Sequence, residues 1–374
     1  MFRQYVSNIP IGTGNNCILE AGKPTRLKAR AYLRPTVCGE FTWRFYFSNT
    51  VDSTFNPRGE VAWRNKPGGC WRILSATVST APDRGCDKAS EVLRAASPVT
   101  NTENVTFDGK GEKNVSPDER FWSDPVTFSV DEGSYLVWEW EIEGDGIPFT
   151  PDSQVPVFCD WGDGWRYGTD CPFPALFGCE RTVKKRIAFL GDSITQGCGT
   201  GINEYGMWVA KIARALSDDY AVWNLGLGFG RGSDAASDGA WLHKAKQCDI
   251  AVLTYGVNDL ESGSYGRGRG DTAVEFLETE ETLIRLLTEA GVEVILNTVP
   301  PFPLDKMKTE QWRIVNRAIP RLAAKHNLRL FDIEKVFDAS PDLGGLCQYG
   351  DHPDGRGGTA AADAFLKFFN GDPF

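Results

Sequence analysis

Between about residue 41 and residue 157 the chain is written in a period of two. In "TWRFYFS", Trp43, Phe45 and Phe47 fall on one side of an extended chain while Arg44, Tyr46 and Ser48 fall on the other. In "YLVWEWEI", Leu136, Trp138, Trp140 and Ile142 alternate with Glu139 and Glu141, and "PVTFSV" repeats the scheme with Val126, Phe128 and Val130. Successive side chains of a strand point to opposite faces, so this alternation predicts antiparallel strands with one buried face. Turn clusters such as "NPRGE" and "DGKGEKN" separate them. Several such strands predict a β-sandwich or jelly-roll-like domain over residues 1–158, with Trp43, Trp138 and Trp140 inside it.

Residues 159–184, rich in Gly, Pro and aromatics, show no period and read as a linker that packs near a cleft. From Lys185 the texture changes. Short apolar runs, "RIAFL", "AVWNLG", "IAVLTYG", "VEVILNT" and "LRLFDI", alternate with helical patterns, and a last helix, "AAADAFLKFF", closes the chain. In "DTAVEFLETEETLIRLLTEAG", Ala273, Phe276, Leu277, Leu283, Ile284 and Leu287 form one stripe, and the "ETEE" run reads as the solvated face. Strand–helix alternation of this kind predicts, for residues 185–374, an α/β domain: a five-stranded parallel sheet covered by helices on both faces. Ligands of such sheets sit beyond the carboxyl ends of the strands.

Composition narrows the partners. A net charge of -10 argues against nucleic acid or an anionic membrane surface. No run approaches the roughly 20 apolar residues that span a bilayer. The opening "MFRQYVSNIPIGTGNNC" lacks the basic-then-apolar layout of a secretory leader, so the chain reads as cytoplasmic, or as secreted had a leader been removed. The ten cysteines include no C-x-x-C pair. Cys159, Cys171 and Cys179 cluster, but reduced, partly buried thiols are the default expectation over a disulfide or a metal site. No cofactor is expected.

The chemistry gathers at the strand ends. Gly191-Asp192-Ser193 follows the first parallel strand, "LGLGFG" closes and follows the second, and Gly256-Val257-Asn258-Asp259 follows the third. Each piece has an ordinary explanation: Ser193 as a helix cap, the glycines as turns, Asn258 and Asp259 as turn or cap residues. Together they supply a hydroxyl and candidate donors for an oxyanion; the remaining need is a base that titrates near neutrality. Of three histidines, His243 and His326 fall on helices, whereas His352 lies in "YGDHPDGRGG" after the last strand. Rival motifs fail. "GDSITQGCGTG" lacks the Lys-Ser/Thr ending of a phosphate-binding loop, and "GLGFGRG" puts Arg231 or Ser233 where a dinucleotide fingerprint needs its third glycine.

Taken together, "GDSITQG", "NLGLGFG", "GVND" and "HPDGRGG" resemble the blocks of the SGNH (GDSL-type) hydrolases over residues 185–374. The resemblance implies a flavodoxin-like domain, with Ser193 as nucleophile, His352 as base and Asp192 in a supporting place. It also implies an oxyanion hole made of the Ser193 N–H, a glycine N–H and the Asn258 amide. The family spacing from Asn224 lands on Phe229, so a one-residue shift to Gly228 or Gly230 is implied, with Gly230 taken first. The family's usual Asp, three residues before the histidine, is Tyr349 here. A backbone carbonyl or another acid must then orient the imidazole, or the site is weakened; Asp351, next to His352, would point elsewhere on an extended chain.

A β-sandwich ahead of such a domain is similar to the layout of carbohydrate esterases. The implied function is a serine esterase that removes acetyl groups from a carbohydrate. The alternatives are a general short-chain esterase or lipase of the same fold, and a non-catalytic carbohydrate-binding protein. Trp161, Trp165 and Tyr167 are the candidates for lining an acceptor pocket, together with the loop "SGSYGRGRGD".

Overall fold

The computed structural model describes residues 1–19, 25–53, 64–168, 171–260, 270–301, 306–337, 344–349 and 352–372. Two antiparallel sheets occupy the first half. One joins Tyr5–Ser7, Leu176–Glu180, Gly39–Ser48, Arg120–Trp122 and Val126–Val130; the other joins Arg166–Gly168, Val157–Asp160, Thr25–Leu33, Ser134–Gly144, Trp71–Pro82, Thr100–Asn104 and Lys113–Val115. The register pairs Trp138 with Ala31 on one side and Val78 on the other. Small and β-branched neighbours leave room for the indole there. Trp43, Phe45 and Phe47 from one sheet and Leu136, Trp138, Trp140 and Ile142 from the other share a single buried core, as their alternation predicts.

The stretch 159–184, expected as a linker, supplies strands to both sheets. It contributes the Arg166–Gly168 hairpin strand and the Leu176–Glu180 strand, the latter inserted between Tyr5–Ser7 and Gly39–Ser48. These strands are too short to display a period, and so their alternation is not visible. Cys159, Cys171 and Cys179 are part of the sandwich core, where burial pushes the Cys179 thiol up to about 12.

The second half holds, among the described residues, a five-stranded parallel sheet in the spatial order Tyr220–Gly226, Lys185–Gly191, Ile250–Thr254, Glu293–Asn297, Arg329–Phe331. Strand alternation again sorts the side chains. Ile187 and Phe189 cluster with Trp208, Ile212 and Phe365, whereas Ala188 and Leu190 cluster with Trp241, Phe276, Leu283 and Trp312. In the helix Ala273–Glu289 the expected stripe is buried, with Leu277 partly so, but Glu280 joins it at 4% exposure. Glu280 lies four residues after Phe276 and three before Leu283, on the same helical face, so "ETEE" is not wholly a solvated run.

The two halves share a core. Tyr46, on the strand face opposite Trp43 to Phe47, packs with Ala175 and Leu176 among the apolar side chains beneath the parallel sheet. Phe2 bridges Tyr46 and Trp223, with ring centroids at 4.8 and 5.9 Å. Lys244, 1% exposed, reaches across to Asp52, whose carboxylate also accepts the Asn15 N–H. Among the described residues no helix is long and apolar enough to cross a membrane.

Candidate active site

The site begins where the central strand Lys185–Gly191 ends. Asp192 turns out of the strand, and its carboxylate accepts the Ile194 N–H at 2.9 Å, capping the one-turn helix Ser193–Gln196. Ser193 is therefore the first helical residue, with an N–H that has no intrahelical acceptor and a side chain at the sheet edge. Gly197, in the left-handed region at φ 109°, ends the turn.

The imidazole comes from the far end of the sequence. His352 sits in a two-stranded hairpin, its backbone paired with that of Tyr349, just before Asp354 caps the helix Gly355–Asn370. Its Nε2 is 2.8 Å from Ser193 Oγ, within hydrogen-bond range. Gly199 permits the approach. A Cβ there would lie 2.9 Å from His352 Cβ and 2.8 Å from the Pro353 carbonyl, and its φ of +98° suits glycine. Asp351 and the loop residues 261–269 lie outside the described residues.

The loop after the neighbouring strand, Tyr220–Gly226, runs alongside. Here both expected glycine amides are engaged within the protein. The Gly228 N–H donates to Gln196 Oε1 at 2.6 Å, and the Gly230 N–H donates to the Leu227 carbonyl at 2.9 Å. Both amides close the loop on itself and on the serine helix. Between them Phe229 adopts φ 59°, the left-handed conformation that turns the chain.

Asn258 follows the third strand. Its side-chain amide donates to the Gly230 carbonyl at 3.2 Å, which uses one of its two N–H groups and ties the second and third strand-end loops together. Asp259, behind it, accepts the Gly256 N–H at 3.1 Å. Burial, aided by Asp271 but opposed by Arg231, raises Asp259 to about 7, and burial with Asp259 nearby raises Glu280 to about 8.

The other two histidines stay apart from this constellation. His326 contacts Glu281 at 3.2 Å, and His243 lies on the short helix Ala240–Ala245 with its basicity lowered by burial. The aromatic candidates are not drawn to the serine. Trp165 stacks under Arg30 at 4.7 Å, and Tyr167 meets Phe158 at 5.7 Å, both beside the cluster of Tyr32, Val92 and Tyr135 on the sandwich's outer face. Trp161 and Tyr167 are 50% and 38% exposed. Among the described residues no hydrogen bond or ring contact links the three to Ser193 or His352.

Two residues of the site escape sequence reading. Gln196 lies inside the "GDSITQG" block yet reads as an ordinary helix residue; its role follows from the Gly228 contact alone. Asn16, whose Nδ2 donates to the Gly228 carbonyl at 3.2 Å, comes from 212 positions away and carries no local signal.

A serine on a one-turn helix at the end of the central parallel strand thus lies within hydrogen-bond distance of a histidine from the last loop. Residues 189–360 match the GDSL-like lipase/acylhydrolase family. In fold the chain is similar to an acetyl xylan esterase, AlAXEase, at 23% identity and TM-score 0.41, over 49% of this chain and 98% of that one. It is also similar to a G-D-S-L family lipolytic protein from Veillonella parvula, at 22% identity and TM-score 0.41, over 50% and 98% of the two chains. A variant of the acetyl-xylooligosaccharide esterase Axe2 from Geobacillus Stearmophilus matches at 21% identity and TM-score 0.41, over 50% and 94%. At such identities and scores these likenesses carry no argument about substrate. No curated protein matches the chain.

Proposed function

We propose that the chain is a serine esterase that removes acetyl groups from a carbohydrate through an acyl-enzyme. The observation that carries the ester half is the 2.8 Å contact between Ser193 Oγ and His352 Nε2 at the strand ends. For the hydroxyl to donate, Nε2 must be the unprotonated nitrogen. Ser193 Oγ then attacks the ester carbonyl carbon while its proton passes to His352. Negative charge develops on the former carbonyl oxygen and is met by the Ser193 N–H, the second N–H of Asn258, and the Phe229 N–H. Phe229 stands at the family's spacing from Asn224, in the left-handed turn of the loop. Donors aimed at a developing oxyanion are worth roughly 3 kcal/mol each. Collapse expels the alcohol with the proton from His352; water, deprotonated by the same imidazole, then releases acetate.

The carbohydrate half rests on the two-domain layout, an antiparallel β module ahead of a GDSL-type domain, which resembles that of carbohydrate esterases. Hydrolysis of an aryl acetate by wild type, with a loss of about 10⁴-fold or more in kcat for Ser193→Ala and for His352→Ala, is the expected result. Unchanged rates in either variant would remove the mechanism. Acetate release from a panel of acetylated oligosaccharides, compared with longer acyl esters, separates a carbohydrate acetylesterase from a general short-chain esterase.

A further inference from the structure

We propose that Asn16, a residue of the β module, is a positioning residue for the oxyanion donor on the neighbouring half; this rests on the esterase reading above. A peptide unit is planar, with its C=O and the following N–H directed to opposite sides. The carbonyl of Gly228 and the N–H of Phe229 belong to one such unit. Asn16 Nδ2 donates to that carbonyl at 3.2 Å, so it sets the plane and thereby the direction in which the Phe229 N–H points.

The same residue is firmly held. Asn16 is buried, and its own N–H donates to the Phe149 carbonyl at 3.1 Å, beside the short pairing of Cys17 with Phe149. The segment leading to it lies flat on the glycine loop. A Cβ on Gly12 would stand 2.8 Å from the Gly226 carbonyl, and one on Gly14 would stand 3.2 Å from Leu227. Gln196 grips the loop from the other side through the Gly228 N–H. Gly228 is thus pinned at its N–H by the serine helix and at its carbonyl by the β module. Without the second pin, the carbonyl of the 228–229 peptide loses the hydrogen bond that sets its plane within the Leu227–Gly230 turn. The donor must then be ordered at the moment of reaction, a cost that preorganised sites avoid.

The test compares wild type, Ser193→Ala, Asn16→Leu and Asn16→Ser on an aryl acetate, with inhibition by a short alkylboronic acid, which forms a tetrahedral adduct on the serine. Asn16→Leu keeps the branched outline, though bulkier, and removes the donor; Asn16→Ser retains a donor without bulk and covers the case in which the leucine variant does not fold. The expected result for Asn16→Leu is a fall of roughly 10- to 100-fold in kcat with KM within about threefold, and a matching loss of boronic acid affinity. The serine variant, whose hydroxyl is shorter, should fall less. Both folded variants retaining wild-type kcat would overturn the proposal. So would a lowered kcat with unchanged boronic acid affinity, which marks general loosening rather than a misaimed donor. An inactive wild type, or an active Ser193→Ala, would instead sink the esterase reading itself.

Discussion

The loop that presents Ser193 is built from its own residues, whereas the loop after the next strand is held by residues remote from it. Asp192 caps the one-turn helix, Gly197 ends it, and the hydroxyl's position follows from local backbone geometry. Leu225 to Gly230 has few such resources. Its Gly228 is gripped by Gln196 and Asn16, its Gly230 carbonyl by Asn258, and the Asn224 side chain reaches the Thr195 carbonyl at 3.2 Å. On the proposed esterase mechanism, the attacking hydroxyl needs one atom in one place, which a capped turn supplies. An amide aimed at a transition-state charge gains instead from a peptide plane held from both sides.

The two loops touch at Gly226, where the contrast can be broken most directly. A Cβ there would lie 2.2 Å from the Gln196 backbone nitrogen. Gly226→Ala should therefore push the glycine loop away from the serine helix, at about 3 kcal/mol or more of stability and with loss of ester hydrolysis. Thermal melts and an aryl acetate assay report both. Gln196→Ala should cost less, about 2 kcal/mol, because it leaves the buried Gly228 N–H without its acceptor but forces no atoms apart. A melting temperature unchanged from wild type would show that the loop closes by itself after all.

A third effect concerns the ground beneath Asn258 and is read as a slope with pH rather than as a single loss. Glu280 and Asp259 stay protonated in the fold up to about 8 and about 7, while their ordinary values are 4.5 and 3.8. Both folded values are raised, so this contribution to stability is complete at acidic pH and is lost as pH rises through the folded values. Wild type should become less stable between about pH 5 and about pH 8, by at most about 1.4 kcal/mol per pH unit for each proton retained. Glu280→Gln should flatten that slope in melts across the same range. An unchanged slope would assign it to other groups.

Periodicity carried most of the architecture. Tryptophans spaced two apart announce a sandwich core, and strand–helix alternation gathers Ser193, Asn258 and His352 at one sheet edge. Legibility ended where an interaction joins residues distant in sequence or where an element is too short to show a period. The strand Leu176–Glu180 is five residues long and sits in a Gly- and aromatic-rich stretch, so it read as a connection. Gly228 and Gly230 are the glycines one residue from the family spacing, but their amides are taken up by Gln196 and Leu227, a fact of hydrogen-bond geometry that no glycine pattern reveals. Trp161, Trp165 and Tyr167 stand out by their place in a stretch with no period, and the hairpin there sets Trp165 and Tyr167 on the outer face of the sandwich.

The Lys244–Asp52 contact has a consequence for how such a molecule can be inherited or rebuilt. An ammonium sealed from water tolerates solitude poorly, and its counter-ion is encoded on the other side of the domain division. Exchanging the front module for an unrelated one would strand that cation unless the newcomer brings a carboxylate to the same spot or Lys244 is replaced along with it.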